Sequence, residues 1–283
     1  YYAQRRNTTT GCVSATRVAV TATVNAVPEV ATASDVSRCG TGTVVLSATA
    51  PTGATVAWFN VSSGGTQLST ANPYTTASLS ATTTYYVESR TATCVSVTRT
   101  AVTATVNAVP AAPTGTAGSN CGPGVVTISA TSAVAGATIE WYSSTTSTAI
   151  LFTGSSYAPS ITVTTTYYAA ARSSAGCLSA RTAVVATINP LLAASASITG
   201  TTAVCPIVGT ATTTNYTAAI VTNATSYKWT VPAGAVITSA TTGRTITVRF
   251  TTVATGDAIT VQGVASNGCA GNPRTLALNI TAC

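Results

Sequence analysis

Apolar and hydroxyl residues alternate along most of this chain. Over residues 98–106, Val102, Ala104 and Val106 alternate with Thr103 and Thr105, so a strand there has one apolar and one hydroxyl face. Val44, Leu46 and Ala48 do the same over residues 43–48. Between residues 28 and 109 the pattern predicts strands over 30–37, 43–48, 55–60, 66–69, 74–79, 82–89 and 98–106. Arg38-Cys39-Gly40-Thr41-Gly42 and Ser63-Gly64-Gly65 serve as turns. No segment has the i, i+3, i+4 apolar spacing of a stable helix.

The pattern also repeats. Arg17 to Pro28 returns almost letter for letter as Arg99 to Pro110, and again, eroded, as Arg181 to Pro190. Cys12, Cys94 and Cys177 keep nearly the same step, as do Cys39 with Cys121 and Trp58 with Trp141. Self-similarity on this scale marks stacked modules. The expected organisation is residues 1–27 as the C-terminal part of a truncated repeat, then repeats at 28–109 and 110–190, then a divergent β-sandwich at 191–283. Seven short strands with turns about every 8–12 residues and a Cys…Trp…Cys frame fit an all-β fold. The expectation is tandem immunoglobulin- or fibronectin-like seven-stranded sandwiches in an elongated rod. Trp58, Trp141 and Trp229 are read as core anchors of the third strand. Tyr85 and Tyr167 are read as tyrosine corners, within Leu79-x-x-Thr82-x-Thr84-Tyr85-Tyr86 and the matching segment 161–168.

Composition narrows the chemistry. Only 6% of the 283 residues are charged, against roughly 25% in ordinary soluble domains. The net charge of +7 comes from eleven Arg and one Lys, a few per module, without the interleaved aromatics of a base-stacking surface. Nucleic acid is therefore not an expected partner, and no apolar run approaches the ~18 residues of a spanning helix. With no His and only Glu29, Asp35, Glu88, Glu140 and Asp257 as acids, neither a general-base centre nor a metal cage is expected, and no cofactor. Glu140, beside Trp141, is read as a strand residue facing solvent.

The eight cysteines stand singly, which with no histidine rules out zinc spacing and points to disulfides in an oxidising compartment. In the expected topology Cys39 precedes the second strand and Cys94 follows the sixth, at opposite poles. A disulfide needs Cα atoms within about 7 Å, whereas a six-residue strand spans roughly 20 Å. That favours pairs between neighbouring modules, Cys39–Cys177 and Cys121–Cys269, with Cys12 and Cys94 bonded to modules further upstream; Cys205 shares its pole with Cys283, which makes that pair possible within the last module. Pairing within modules, Cys39–Cys94, Cys121–Cys177 and Cys205–Cys269, remains the alternative.

Two motif sets carry a resemblance. Trp229-Thr-Val-Pro-Ala-Gly234, with Ile259-Thr-Val261 and Asn267-Gly-Cys269, resembles the PKD-like domain. Cys-Gly-x-Gly-x-Val-x-Leu-x-Ala from Cys39, then Trp58-Phe59, Thr83-Thr-Tyr-Tyr-Val87 and Cys94-x-Ser-x-x-Arg-x-Ala-Val102, resembles the Ig-like repeats of very large Bacteroidota surface proteins. The resemblance implies type IX secretion and a non-catalytic cell-surface adhesin or its stalk, in some members for gliding motility. Its partners would be neighbouring repeats, surface polysaccharide or another cell-surface protein, at an extracellular location. The alternatives are a non-catalytic spacer of a secreted enzyme, and a filament subunit in which residues 1–27 complete a sandwich with another chain.

Overall fold

The computed structural model describes residues 1–254, 256 and 258–279. Apart from a 3-10 turn at Cys205–Ile207, the regular structure of the described residues is β. Two compact units result: residues 1–110 with 175–177, and residues 111–174 with those described from 178 onward.

In the first unit, Val36–Cys39, Thr100–Asn107, Thr83–Arg90 and Thr55–Phe59 form one four-stranded sheet in that order. Thr32–Ala33 pairs with Ala48–Thr49, and Val45–Leu46 with Tyr74–Thr75, to make the facing layer. The single strand expected over 30–37 is thus two strands on different layers. Arg38 and Cys39, expected in a turn, end the second of them, which runs parallel to Thr100–Asn107 in the register Asn107↔Cys39. The strand expected over 66–69 reduces to one bridge, Trp58↔Ser69. Between the layers lies one core, in which Leu46, Trp58, Val87, Val102 and Ala104 are fully buried. Period-2 alternation built it, since residues of one parity enter the core and the hydroxyls of the other remain outside.

The second unit holds two sandwiches. The first has the sheet Gly118–Cys121, Thr182–Asn189, Thr165–Arg172, Thr138–Tyr142 and Phe152–Thr153 against Thr114–Thr116, Ile128–Thr131 and Ser156–Tyr157. Its core centres on Trp141, Val126 and Ile128. The other packs Ile198–Thr199, Thr213–Ala218, Thr245–Phe250 and Ala235–Ile237 against Ser226–Thr230, Ala258–Val264 and Arg274–Ala277. Tyr216, Phe250, Ile246 and Ile259 fill it. The Tyr216 hydroxyl donates to the Thr201 carbonyl at 2.8 Å, and burial raises its pKa to about 12.

Residues 1–27 form a smaller piece. Tyr2–Ala3 pairs with Val18–Ala19 in the register Tyr2↔Ala19. The equivalent pairs downstream are Tyr86↔Ala101 and Tyr168↔Ala183, so one hairpin register recurs three times.

Candidate functional site: disulfide junctions and arginine clasps

Each hairpin that ends a repeat carries a cysteine at its tip and an arginine at the start of its second strand. A serine holds the tip: the Oγ of Ser14, Ser96 and Ser179 accepts from the backbone N–H of Arg5, Ser89 and Ala171 in turn. Cys177 on such a tip is bonded to Cys39, with Cα atoms 5.5 Å apart. Cys269, between Ala258–Val264 and Arg274–Ala277, is bonded to Cys121 at the same separation. Cys39–Cys94, Cys121–Cys177 and Cys205–Cys269 are consequently not formed. Cys12 is a free, exposed thiol, and Cys94 is free and half-buried. Cys205 is disulfide-bonded, while Cys283 lies outside the described residues.

The chain beside each bonded cysteine is fixed by a glycine. Gly40 and Gly122 follow Cys39 and Cys121 with φ of +68° and +75°, a region that side chains other than hydrogen rarely adopt. Their N–H groups donate to the carbonyls of Asn107 and Asn189 at 2.8 Å. A Cβ on Gly40 or Gly122 would stand 3.2 Å from Val109 or Leu191, so each glycine also leaves room for the close approach of the segment leaving its module.

A second device lies on the outer face of the large sheet. The Arg99 guanidinium lies 3.3 Å above the Phe59 ring, donates to Glu88 at 2.9 Å and reaches the carbonyls of Val61 and Gly64 at 2.8 Å. It thereby joins the last strand, the sixth strand and the loop after the third. Arg90 adds a 2.6 Å ion pair to the other Glu88 oxygen. Arg181 stands 3.6 Å above Tyr142 in the next repeat and donates to the carbonyls of Ser144 and Ser147. Its carboxylate is Glu140, held by Arg172 at 2.6 and 3.0 Å and by the Tyr142 hydroxyl.

Glu140 is therefore not solvent-facing: it is only 6% exposed. Alternation places it opposite to Trp141 and away from the core. There, however, Arg172, Arg181 and the loop carrying Ser144 and Ser147 lie over the sheet, and Arg172 and the Tyr142 hydroxyl supply the donors a buried carboxylate needs. Burial pushes the Glu88 carboxyl up, but the hydrogen bonds from Arg90 and Arg99 outweigh it and leave its pKa lowered. Glu140 is lowered chiefly by its hydrogen bond from Arg172, against burial. Tyr142 is raised, first by burial and then by the adjacent Glu140. Arg38 is likewise spent internally, on the carbonyls of Gly40, Thr41 and Thr43. Much of the positive charge is thus engaged within the fold.

The aromatic positions are also placed. Trp58 and Trp141 are fully buried and Trp229 is 8% exposed. Tyr85 is buried and hydrogen-bonded to Thr76, while Tyr167 is half-buried, edge-on to Tyr157. Asp257 lies outside the described residues. The clasps were missed from sequence, although Arg99 and Arg181 stand at one repeat position, beside the recurring Trp58-Phe59 and Trp141-Tyr142 pairs.

Residues 26–107 and 110–190 match the family described as Ig-like domain, CHU_C associated, and residues 191–280 match a PKD-like domain. No curated protein matches the chain. Among solved structures, the chicken CNTN1 FN1-FN3 domains are 11% identical, over 88% of this chain and 97% of that one, at a TM-score of 0.37. The titin domains I67-I69 are 8% identical, over 87% and 95%, at 0.33. The fibronectin(III)-like modules of Clostridium thermocellum CbhA are 14% identical, over 56% and 94%, at 0.37.

Proposed function

Because the chain belongs to the Ig-like, CHU_C-associated domain family and continues into a PKD-like domain, we propose that it is a non-catalytic segment of a secreted repeat protein, displayed on the cell surface as an adhesin or its stalk. The observation that supports this most is the pair of disulfides Cys39–Cys177 and Cys121–Cys269. Each ties the cysteine near the start of one repeat to a hairpin tip of the next. Such bonds persist in oxidising, extracellular surroundings. They close loops spanning 138 and 148 residues, so they resist extension across module boundaries that a linker alone would leave free. A Bacteroidota source, export by the type IX route and a part in gliding belong to the same reading. The partners it implies are neighbouring repeats of the same polypeptide and a surface polysaccharide or surface protein.

The test uses the native protein on intact cells. Alkylation without reduction, followed by peptide mapping, should recover linked peptides containing Cys39 with Cys177 and Cys121 with Cys269. Protease added outside should cleave the protein. Fully alkylated Cys39 and Cys121, or complete protection from external protease, would sink the reading.

A further inference from the structure

One edge of each complete Ig-like repeat is a straight run of chain tied to the last strand along its length. In the first, the Thr100 hydroxyl donates to the Ala31 carbonyl at 2.5 Å and Asp35 accepts from the Thr103 N–H at 2.7 Å. Val36–Cys39 then lies parallel to Ala104–Asn107. In the second, the Thr182 hydroxyl donates to the Pro113 carbonyl at 2.6 Å, and Gly118–Cys121 lies parallel to Ala186–Asn189. Thr100–Asn107 has 8 residues, and the run from Ala31 to Cys39, which covers the same length, has only one more. A strand rises about 3.3 Å per residue, and no chain exceeds about 3.6 Å. The run is therefore almost fully drawn out and hardly lengthens under tension. Its last residue is Cys39, bonded to Cys177.

The other strands of the first repeat, from Val45–Leu46 to Thr100–Asn107, follow that cysteine and lie inside the 138-residue loop that the bond closes. Tension arriving along the run thus has two ways onward. One is the covalent step from Cys39 to Cys177. The other crosses the folded strands of the loop, which only hydrogen bonds and packing hold together. The start of the loop is also pinned to the run. Arg38, just before the cysteine, donates to the carbonyls of Gly40, Thr41 and Thr43. It lies so close over Gly42 that a Cβ there would meet its guanidinium.

We infer that residues 31–39 and the Cys39–Cys177 bond form a bypass that carries tension past the first repeat and keeps residues 40–176 as stored length, released when a dithiol reduces the bond. The inference deepens the stalk reading, on which the presence of a load rests. While the bond stands, the strands packed around Trp58 are not pulled apart from their ends. Release is a chemical step. One thiolate of the dithiol attacks a sulfur of the bond, and the other cysteine leaves as a thiolate. The second thiol of the reductant then displaces the first cysteine and closes its own disulfide, so two electrons pass to the cystine and both cysteines end as thiols. The freed loop now lies in the path of the load, and its 138 residues represent on the order of 460 Å of extended chain. Cys121–Cys269 stands at the end of the same kind of run and closes 148 residues.

The test holds the full chain in a force clamp by azide-bearing residues in place of the exposed Glu29 and Ala194. These bracket the bond, and the path between them through it is about 27 residues, on the order of 90 Å. Without reductant, lengthening should stop at that limit. With dithiothreitol, the bond should be cleaved at a rate that rises about fivefold or more from the lowest to the highest force, because tension along the S–S bond assists its exchange. Each cleavage should be followed by release of the 138-residue loop. A cleavage rate independent of force means that the load crosses the folded strands, and overturns the proposal. So does repeat-sized lengthening before any reductant is added. Cys121→Ser with Cys269→Ser should leave both signatures, and loss of either there also overturns it. Cys39→Ser with Cys177→Ser should abolish the limit and give lengthening without reductant; persistence of the limit counts against the bypass. Force-independent cleavage leaves surface display untouched, and failure of display on cells leaves the force response standing.

Discussion

The two Ig-like repeats build the same buried ion pair from opposite strands. In the first, Glu88 stands on the sixth strand with Ala57 directly across on the third. In the second, Ala170 holds the place of Glu88, and Glu140, across from it, holds the place of Ala57. The carboxylate has moved to the facing residue while its position on the outer sheet face is kept. The ring beneath the arginine changes with it. Phe59 has no hydroxyl, and Arg99 itself bonds Glu88; Tyr142 has one, and its hydroxyl bonds Glu140. What the repeat retains is one carboxylate beside two arginines, Arg90 and Arg99 in the first repeat and Arg172 and Arg181 in the second, with the carboxylate supplied by either member of a cross-strand pair. The arginine clasp is thus a property of the sheet rather than of any one position.

Exchange between the partners should break and then rebuild the clasp. Glu88→Ala leaves Arg99, whose side chain is only 10% exposed, without a counter-charge. Loss of one partner of such a pair costs about 3 kcal/mol. Adding Ala57→Glu and Phe59→Tyr gives the first repeat the arrangement of the second and should recover most of that loss. Ala57→Glu alone places two carboxylates face to face and should destabilise. Hydrogen exchange of the strands Thr55–Phe59 and Thr83–Arg90 reports the first repeat separately, which matters because a chain of several modules need not unfold in one step. A triple variant no more protected than Glu88→Ala would show that position, not charge, is what counts.

A pH titration has the next largest effect. Both carboxyls have folded pKa values below the ordinary 4.5. A depressed folded pKa contributes stability that is full above 4.5 and is lost as pH falls through the folded value. Protection of both sheets should therefore decline below about pH 4.5. Glu88→Gln should flatten the decline in the first repeat only, and Glu140→Gln in the second only. A decline unchanged by either substitution would assign acid sensitivity elsewhere. Arg99→Lys and Arg181→Lys come after this, at about 1–2 kcal/mol each, because an ammonium neither stacks on the ring nor spans two loop carbonyls. The loss should be greater for Arg99, which donates directly to the Glu88 carboxylate, whereas Arg181 donates to the Ser144 and Ser147 carbonyls.

The core was legible in the sequence and the clasp was not. Alternation puts Val44, Leu46 and Trp58 inward, and the structure buries all three. The same rule puts Glu140 on the other face, but it cannot say whether that face is wet. That depends on Arg172 and Arg181, some 30 to 40 residues away, and on a loop folding back, which no local pattern contains. The division of residues 30–39 between two layers escaped for a related reason. Thr32 and Val36 belong to one apolar-polar run, and only the parallel pairing of Val36–Cys39 with Thr100–Asn107 shows that the run changes sheets. The cysteine spacings suit either set of pairs, and strand direction decides between them.

The smallest expected difference lies in the cores. Trp58 and Trp141 occupy the same place, both without solvent contact. The Trp141 indole N–H donates to the Gly154 carbonyl at 2.8 Å, and Trp229 does the same to Gly243 at 2.9 Å. Trp58 Nε1 is buried without an acceptor. At the position thirteen residues on, where the second repeat has Gly154, the first has Ala71, followed by Asn72, whose amide is spent on the backbone of Ala48. Trp→Phe removes the same volume in both repeats, so the packing loss cancels in the comparison. What remains is the donor: Trp141→Phe strands a carbonyl that had a partner, while Trp58→Phe deletes an N–H that had none. Trp141→Phe should cost about 1 kcal/mol more than Trp58→Phe. Local exchange protection of Thr138–Tyr142 and Thr55–Phe59 measures the two costs in the same chain, and equal costs would mean that the Trp58 N–H finds an acceptor in solution.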